Sequence, residues 1–107
     1  AFLKKGSKRA KTQAEADRLQ KAHLENISRL AREGSLILAG PFLDEGDLRG
    51  IYLFDTENLD EARQLVKSDP AIQAGSLVME LKEWYGSAAL MAVPQIHPMV
   101  EKRSVAE

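Results

Sequence analysis

An α+β fold with an antiparallel sheet is what this sequence predicts, on three observations. Two segments carry apolar residues at the three- and four-residue spacings of one helix face, and each opens on a capping-box pair, Thr12 with Glu15 and Asn58 with Glu61. Three short stretches, SLILAG, IYLF and LVMELKEW, have the apolar content of strands and lie between turn residues, and a fourth, AFLK, stands at the start of the chain. The resulting order is strand, helix, strand, strand, helix, strand. That is the βαββαβ plan of a split pair of βαβ units, the ferredoxin-like arrangement.

Each element has a local cause. After AFLK, KGSKRAK reads as a Gly-containing basic loop. In the first helix, Thr12 and Glu15 satisfy free backbone donors, and Ala16, Leu19, His23, Ile27 and Leu30 fall on one face. Gly34, which tolerates a left-handed cap, ends it. SLILAG is an apolar strand closed by Gly40-Pro41, FLDEGD an acidic turn-rich loop, and LRGIYLFD the next strand. Leu59, Ala62, Leu65 and Val66 give the second helix its apolar face. That helix must end by Asp69, because Pro70 steers the residue before it away from helical geometry. DPAIQAG then reads as one helical turn with Asp69 as N-cap and Pro70 at the first position. In the last strand Leu77, Met79 and Leu81 alternate with Val78, Glu80 and Lys82. From Ser87 the periodicity dissolves, so the chain divides into a domain over residues 1–86 and a tail over 87–107. The tail's apolar residues, Leu90 to Val100, fit a segment lying along the body or across a partner chain, and its composition fits free disorder equally well.

At 107 residues there is room for one modest core. The formal net charge of −1 favours neither nucleic acid nor an anionic membrane. With no cysteine, disulfide frameworks, thiolate metal sites and thiol catalysis are excluded. No apolar run approaches the roughly 20 residues of a membrane span. The chain as given shows no signal-peptide core, so the cytoplasm is the default location. Because it begins at Ala1 and passes at once into Phe2-Leu3, strand one is read as cut short, and a removed N-terminal segment stays open. The helices of this plan cover one sheet face, yet SLILAG and IYLF are apolar on both. A second copy packed on the helix-free face is the economical cover, giving a homodimer.

His23 is the residue most open to chemistry. One reading is a core-edge ring that hydrogen-bonds a backbone carbonyl; the other is a general base opening into a cavity between helix and sheet. A base needs a partner that fixes its tautomer, and Asp69 can be that partner while still capping its helix, with one carboxylate oxygen for each task. The cluster Lys4, Lys5, Lys8, Arg9 and Lys11 reads as a solvated loop; it lacks the interleaved aromatics of a nucleic-acid surface. Lys4 or Lys5, leaving strand one, can instead hold a substrate anion as a point charge. Arg49 either pairs with Asp47 or Glu45 or anchors a ligand, and Gly40-Pro41 lets the backbone approach one closely. Trp84 and Tyr85 close a core, an interface or a pocket. His97 has no second metal-type ligand at helical spacing and reads as surface. No metal, nucleotide or acyl-enzyme motif is present.

AHLENISRLAREGSLILAGPF, DLRGIYLF, LVKSDPAIQAG and LVMELKEWYG together resemble the YCII-related family of small proteins, over nearly all of Phe2 to Gly86. The resemblance implies a fold of the dimeric α/β barrel type, with two ferredoxin-like sheets face to face. It also implies that His23 and Asp69 form the active pair in a cleft near the sheet. Strand one here is shorter than the family pattern, and the tail after Gly86 has no counterpart. Some relatives resemble ring-modifying enzymes, dehydrochlorinases and, at the fold level, muconolactone isomerases. The expected function is proton transfer by His23 and Asp69, without a cofactor, on a small anionic substrate of cyclic or aromatic type. Lys4, Lys5, Gly40, Pro41 and Arg49 are then the binding residues. The alternative is a non-catalytic dimeric binding or accessory module in which His23 and Asp69 brace two helices.

Overall fold

A computed structural model of the chain describes residues 1–101. Its elements run β1 (Phe2–Lys5), α1 (Gln13–Arg32), β2 (Leu36–Pro41), β3 (Leu48–Phe54), α2 (Leu59–Lys67), the single turn α3 (Pro70–Gln73) and β4 (Leu77–Glu80). A 3₁₀ turn over Ala88–Ala92 and a helix α4 (Val93–Val100) follow. The strands form one antiparallel sheet in the order β2-β3-β1-β4. This is the ferredoxin-like α+β arrangement, with α1 crossing over from β1 to β2 and α2 and α3 from β3 to β4, each time between strands that another strand separates.

The caps form at the expected residues. Thr12 Oγ1 accepts from the Glu15 backbone N–H at 3.1 Å, and Asn58 Oδ1 accepts from that of Glu61 at 2.9 Å. The return bonds reach one residue further back than in the standard box, Glu15 accepting from Lys11 N–H and Glu61 from Glu57 N–H. Past α1, Gly34 takes the left-handed conformation, at φ 84°. Pro41 is the last residue of β2 rather than a corner beyond it. β2 is an edge strand, so a missing N–H on its outer side costs no ladder bond.

Helices α1, α2 and α3 pack on one sheet face. Cross-strand partners share a face, and the registers place Leu3, Tyr52, Leu36 and Met79 toward α1. Leu3, Leu30, Leu36 and Tyr52 form the buried centre, with Ile27, Ala39, Phe54, Leu65, Leu77 and Met79 around it. Each fully buried large apolar side chain contributes about 1.5–3 kcal/mol, so this small cluster supplies much of the driving force for folding. On the other face stand Phe2, Leu38, Ile51, Leu53 and Val78, with Lys4 and Glu80 paired at the β1–β4 side.

Several expectations are corrected. β4 ends at Glu80, which pairs with Phe2, the first residue of β1; Leu81 and Lys82 lie outside the sheet. Trp84 and Tyr85 are exposed, so neither closes the core of this chain. From Ala88 to Val100 the chain is helical. Ser87 caps the 3₁₀ turn, and Pro94 falls in the first turn of α4, where its missing N–H is not needed. Helix α4 lies against β2, and His97 has a neighbour at helical spacing after all, Glu101, at 2.8 Å.

Candidate functional site

The end of α2, the turn α3 and the middle of α1 meet where Asp69 meets His23. Asp69 has the extended backbone of an N-cap, and its Oδ1 accepts from Ala71 N–H at 2.9 Å. Its other oxygen, Oδ2, lies 2.6 Å from His23 Nδ1. The carboxylate is fully buried, and His23 is 8% exposed. Both readings of Asp69 therefore hold at once, one oxygen capping a helix and the other gripping the ring.

The far nitrogen of the ring, Nε2, lies 3.3 Å from the Tyr52 hydroxyl on β3, with the two ring planes 19° apart. When the carboxylate is ionised it can only accept, so Nδ1 carries the proton and Nε2 presents its lone pair to Tyr52. Burial, with the Asp69 charge adding to it, raises the Tyr52 phenol well above its ordinary range. The folded chain thus keeps this proton where the unfolded chain releases it. The associated stability is complete below about pH 10 and is lost by about 1.4 kcal/mol for each pH unit above, until the folded phenol ionises in turn. Urea unfolding followed from pH 9 to 11 should show this extra alkaline loss in the native chain and not in Tyr52→Phe.

His23 and Tyr52 form part of the wall of a cavity of about 560 Å³ between α1 and the sheet. Gly40, Pro41, Arg49 and Gly50 line it from the β2–β3 hairpin, and Arg9 and Gln13 from the start of α1 and the loop before it. Arg49 is an extra residue in β3, since Leu3 pairs with Gly50 and Lys4 with Leu48; this bulge brings it to the cavity. Among the described residues Arg49 bonds the Gly46 carbonyl and no carboxylate, contrary to the expected pairing with Asp47 or Glu45. Arg9 is held by the Ser76 carbonyl at 2.6 Å. A larger depression of about 710 Å³ lies on the outer side of α1 around Lys21, Arg29 and Pro70, and includes neither His23 nor Asp69.

Of the residues singled out in the sequence, His23, Gly40, Pro41 and Arg49 come together at the cavity. Asp69 does not line it; it stands behind the ring. Lys4 and Lys5 are not there either. Strand alternation turns Lys4 to the face away from α1, where Glu80 binds it at 2.5 Å, and Lys5 is exposed at the end of β1. Tyr52 and Arg9 were missed. Alternation in IYLF could have turned Tyr52 toward the helices, whereas Arg9 gave no signal beyond its place in a basic loop. Asn26, also on α1, is buried as well; its Oδ1 accepts from Arg29 and Ser68, and its amide NH₂ has no partner among the described residues. Among those residues no group of three or more His, Asp or Glu side chains is placed to hold a metal ion, and no helix is long and apolar enough to cross a membrane.

The fold and site define a small ferredoxin-like α+β domain whose helix layer holds a histidine–aspartate pair at the wall of a cavity. Residues 2–85 match the YCII-related domain, and the chain belongs to that family. It is 36% identical over 62 residues to the uncharacterized protein YjpA of Bacillus subtilis (strain 168), a match that covers 58% of this chain and 71% of YjpA. No solved structure matches the chain significantly.

Proposed function

We propose that this domain transfers a proton on a small anionic substrate, of cyclic or aromatic type, with His23 as the base and no cofactor in the step. The observation that carries this reading is the division of labour on one ring: Nδ1 is fixed by a buried carboxylate at 2.6 Å, while the same ring forms part of a cavity wall. A carboxylate behind the ring holds one tautomer and favours the imidazolium once a proton is taken. Asp69 is therefore a positioning residue and His23 the catalytic one. Arg49 and Arg9 supply positive charge for the substrate anion, against a single carboxylate on the cavity wall, Asp17. The reaction class is isomerisation, or a lyase step of the dehydrochlorinase kind. In the same reading a second copy of the chain covers the helix-free sheet face.

A non-catalytic dimeric binding or accessory module is the second reading, favoured by the fact that both ring nitrogens of His23 already have partners inside the fold. His23→Asn separates the two. The shorter amide can still donate to Asp69 but has no group at the position of Nε2. If His23 is the base, the variant folds, retains thermal stabilisation by small cyclic carboxylates, and loses about a hundred- to ten-thousand-fold in proton exchange on them. A wild-type chain that binds such compounds and exchanges none of their protons leaves the binding module in front.

A further inference from the structure

We propose that Tyr52 is a second catalytic group of this cavity: its hydroxyl donates a hydrogen bond to the carbonyl oxygen of an enolisable carboxylate while His23 takes the proton from the neighbouring carbon. The inference rests on the proton-transfer reading of His23 and adds both the electrophilic partner and the substrate class.

Four observations support it. Tyr52 and His23 line the same cavity from opposite layers, Tyr52 from the sheet and His23 from α1. The two rings are nearly parallel, and the hydroxyl and Nε2 lie 3.3 Å apart. With Nδ1 donating to Asp69, the hydrogen in that contact must come from the phenol, so at rest the hydroxyl covers the lone pair that has to act as base. At 3.3 Å the contact lies beyond the usual hydrogen-bond range and is readily exchanged for a substrate oxygen. Among the described residues Nε2 is also the hydroxyl's one hydrogen-bond partner.

When a carbonyl oxygen enters, rotation of the phenol O–H does two things together. It uncovers Nε2, and it places a donor where enolate charge develops. The C–H bond next to the carbonyl then breaks and its proton passes to Nε2. The electron pair enters a new carbon–carbon double bond as the carbonyl π pair moves onto oxygen. Return of the proton to the same carbon gives exchange; its return to the far end of a conjugated system gives an isomer. No oxidant or second reactant is consumed. Burial beside Asp69 keeps the phenol protonated, so it stabilises the enolate by donating a hydrogen bond rather than by giving up its proton. Arg9 and Arg49, on the same cavity, fit the carboxylate of such a substrate.

The test is deuterium exchange into the carbon next to the keto group of pyruvate, 2-oxobutyrate and phenylpyruvate, followed by proton NMR in heavy water. The wild-type chain is expected to catalyse exchange on at least one. Tyr52→Phe should slow it about a hundred- to a thousand-fold, the loss typical of one donor at a developing oxyanion. A chain carrying ring-fluorinated tyrosine in a Tyr85→Phe background keeps the shape of the site and makes the hydroxyl a stronger donor. Its exchange rate should rise and its pH profile should shift, changes that a purely structural tyrosine does not produce; this second chain carries the test if Tyr52→Phe fails to fold. Exchange that falls in His23→Asn but is unchanged in both tyrosine variants overturns the role of Tyr52 and leaves His23 as base. Absence of exchange by the wild-type chain on all three compounds overturns the proton-transfer reading itself.

Discussion

Asp69→Ala lowers the stability of the folded domain by about 3–5 kcal/mol, the range seen when one partner of a buried, hydrogen-bonded polar pair is removed. The side chain is fully buried, and each of its oxygens satisfies a different donor, Ala71 N–H and the His23 ring. Alanine leaves both donors facing a dry void, and neither can turn to water without opening the contact between α1 and α3. Asp69→Asn is the informative companion. It keeps the acceptor for Ala71 but offers His23 an NH₂ group, so Nδ1 must become the acceptor and the ring proton moves to Nε2. The expected loss is smaller, about 1.5–3 kcal/mol, and the proton exchange proposed for His23 should disappear, because Nε2 is now protonated. Urea unfolding of the two variants beside the native chain measures both numbers. If Asp69→Ala comes within about 1 kcal/mol of the native chain, the pair does not hold α1 to α3.

The helices were readable because their causes are local. Thr12, Asn58, Pro70 and Gly34 act on backbone donors and dihedral angles within four residues, so the sequence alone places the boundaries. Strand lengths depend on partners far along the chain, and here reading failed. LVMELKEW alternates through Lys82, but pairing stops at Glu80 opposite Phe2. The Arg49 bulge was hidden for the same reason, since an extra residue shows only against the opposite strand. In the tail, two prolines suggested broken structure, although Pro94 sits where a helix tolerates it. The nearness of His23 to Asp69 was not legible from spacing, since 46 residues separate them. It was expected from the family resemblance, and the geometry then shows what the resemblance does not: the carboxylate lies behind the ring, out of the cavity, and Tyr52 covers the ring's other nitrogen.

Ile51→Arg should convert the proposed dimer into a folded monomer. Ile51 stands on the sheet face away from α1, with Phe2 paired beside it on β1 and Gly40 on β2, and Leu38, Leu53 and Val78 share that face. Val78 is 51% exposed and Ile51 36%, so this face keeps exposed apolar surface. In the proposed dimer, a two-fold partner presenting the same face would cover it on both copies at once. An arginine at the centre of that contact would be buried without a counter-charge, at a cost of several kcal/mol, which weakens association by at least about a hundredfold. Sedimentation at micromolar concentration should find the native chain as a dimer and the variant as a monomer with unchanged far-ultraviolet circular dichroism. A native chain that sediments as a folded monomer refutes the covering copy. The cavity with His23 and Tyr52 lies on the opposite side of the sheet, so a monomeric Ile51→Arg chain should still bind small carboxylates there. Losing both dimer and binding would mean that the sheet needs its partner to hold Tyr52 in place.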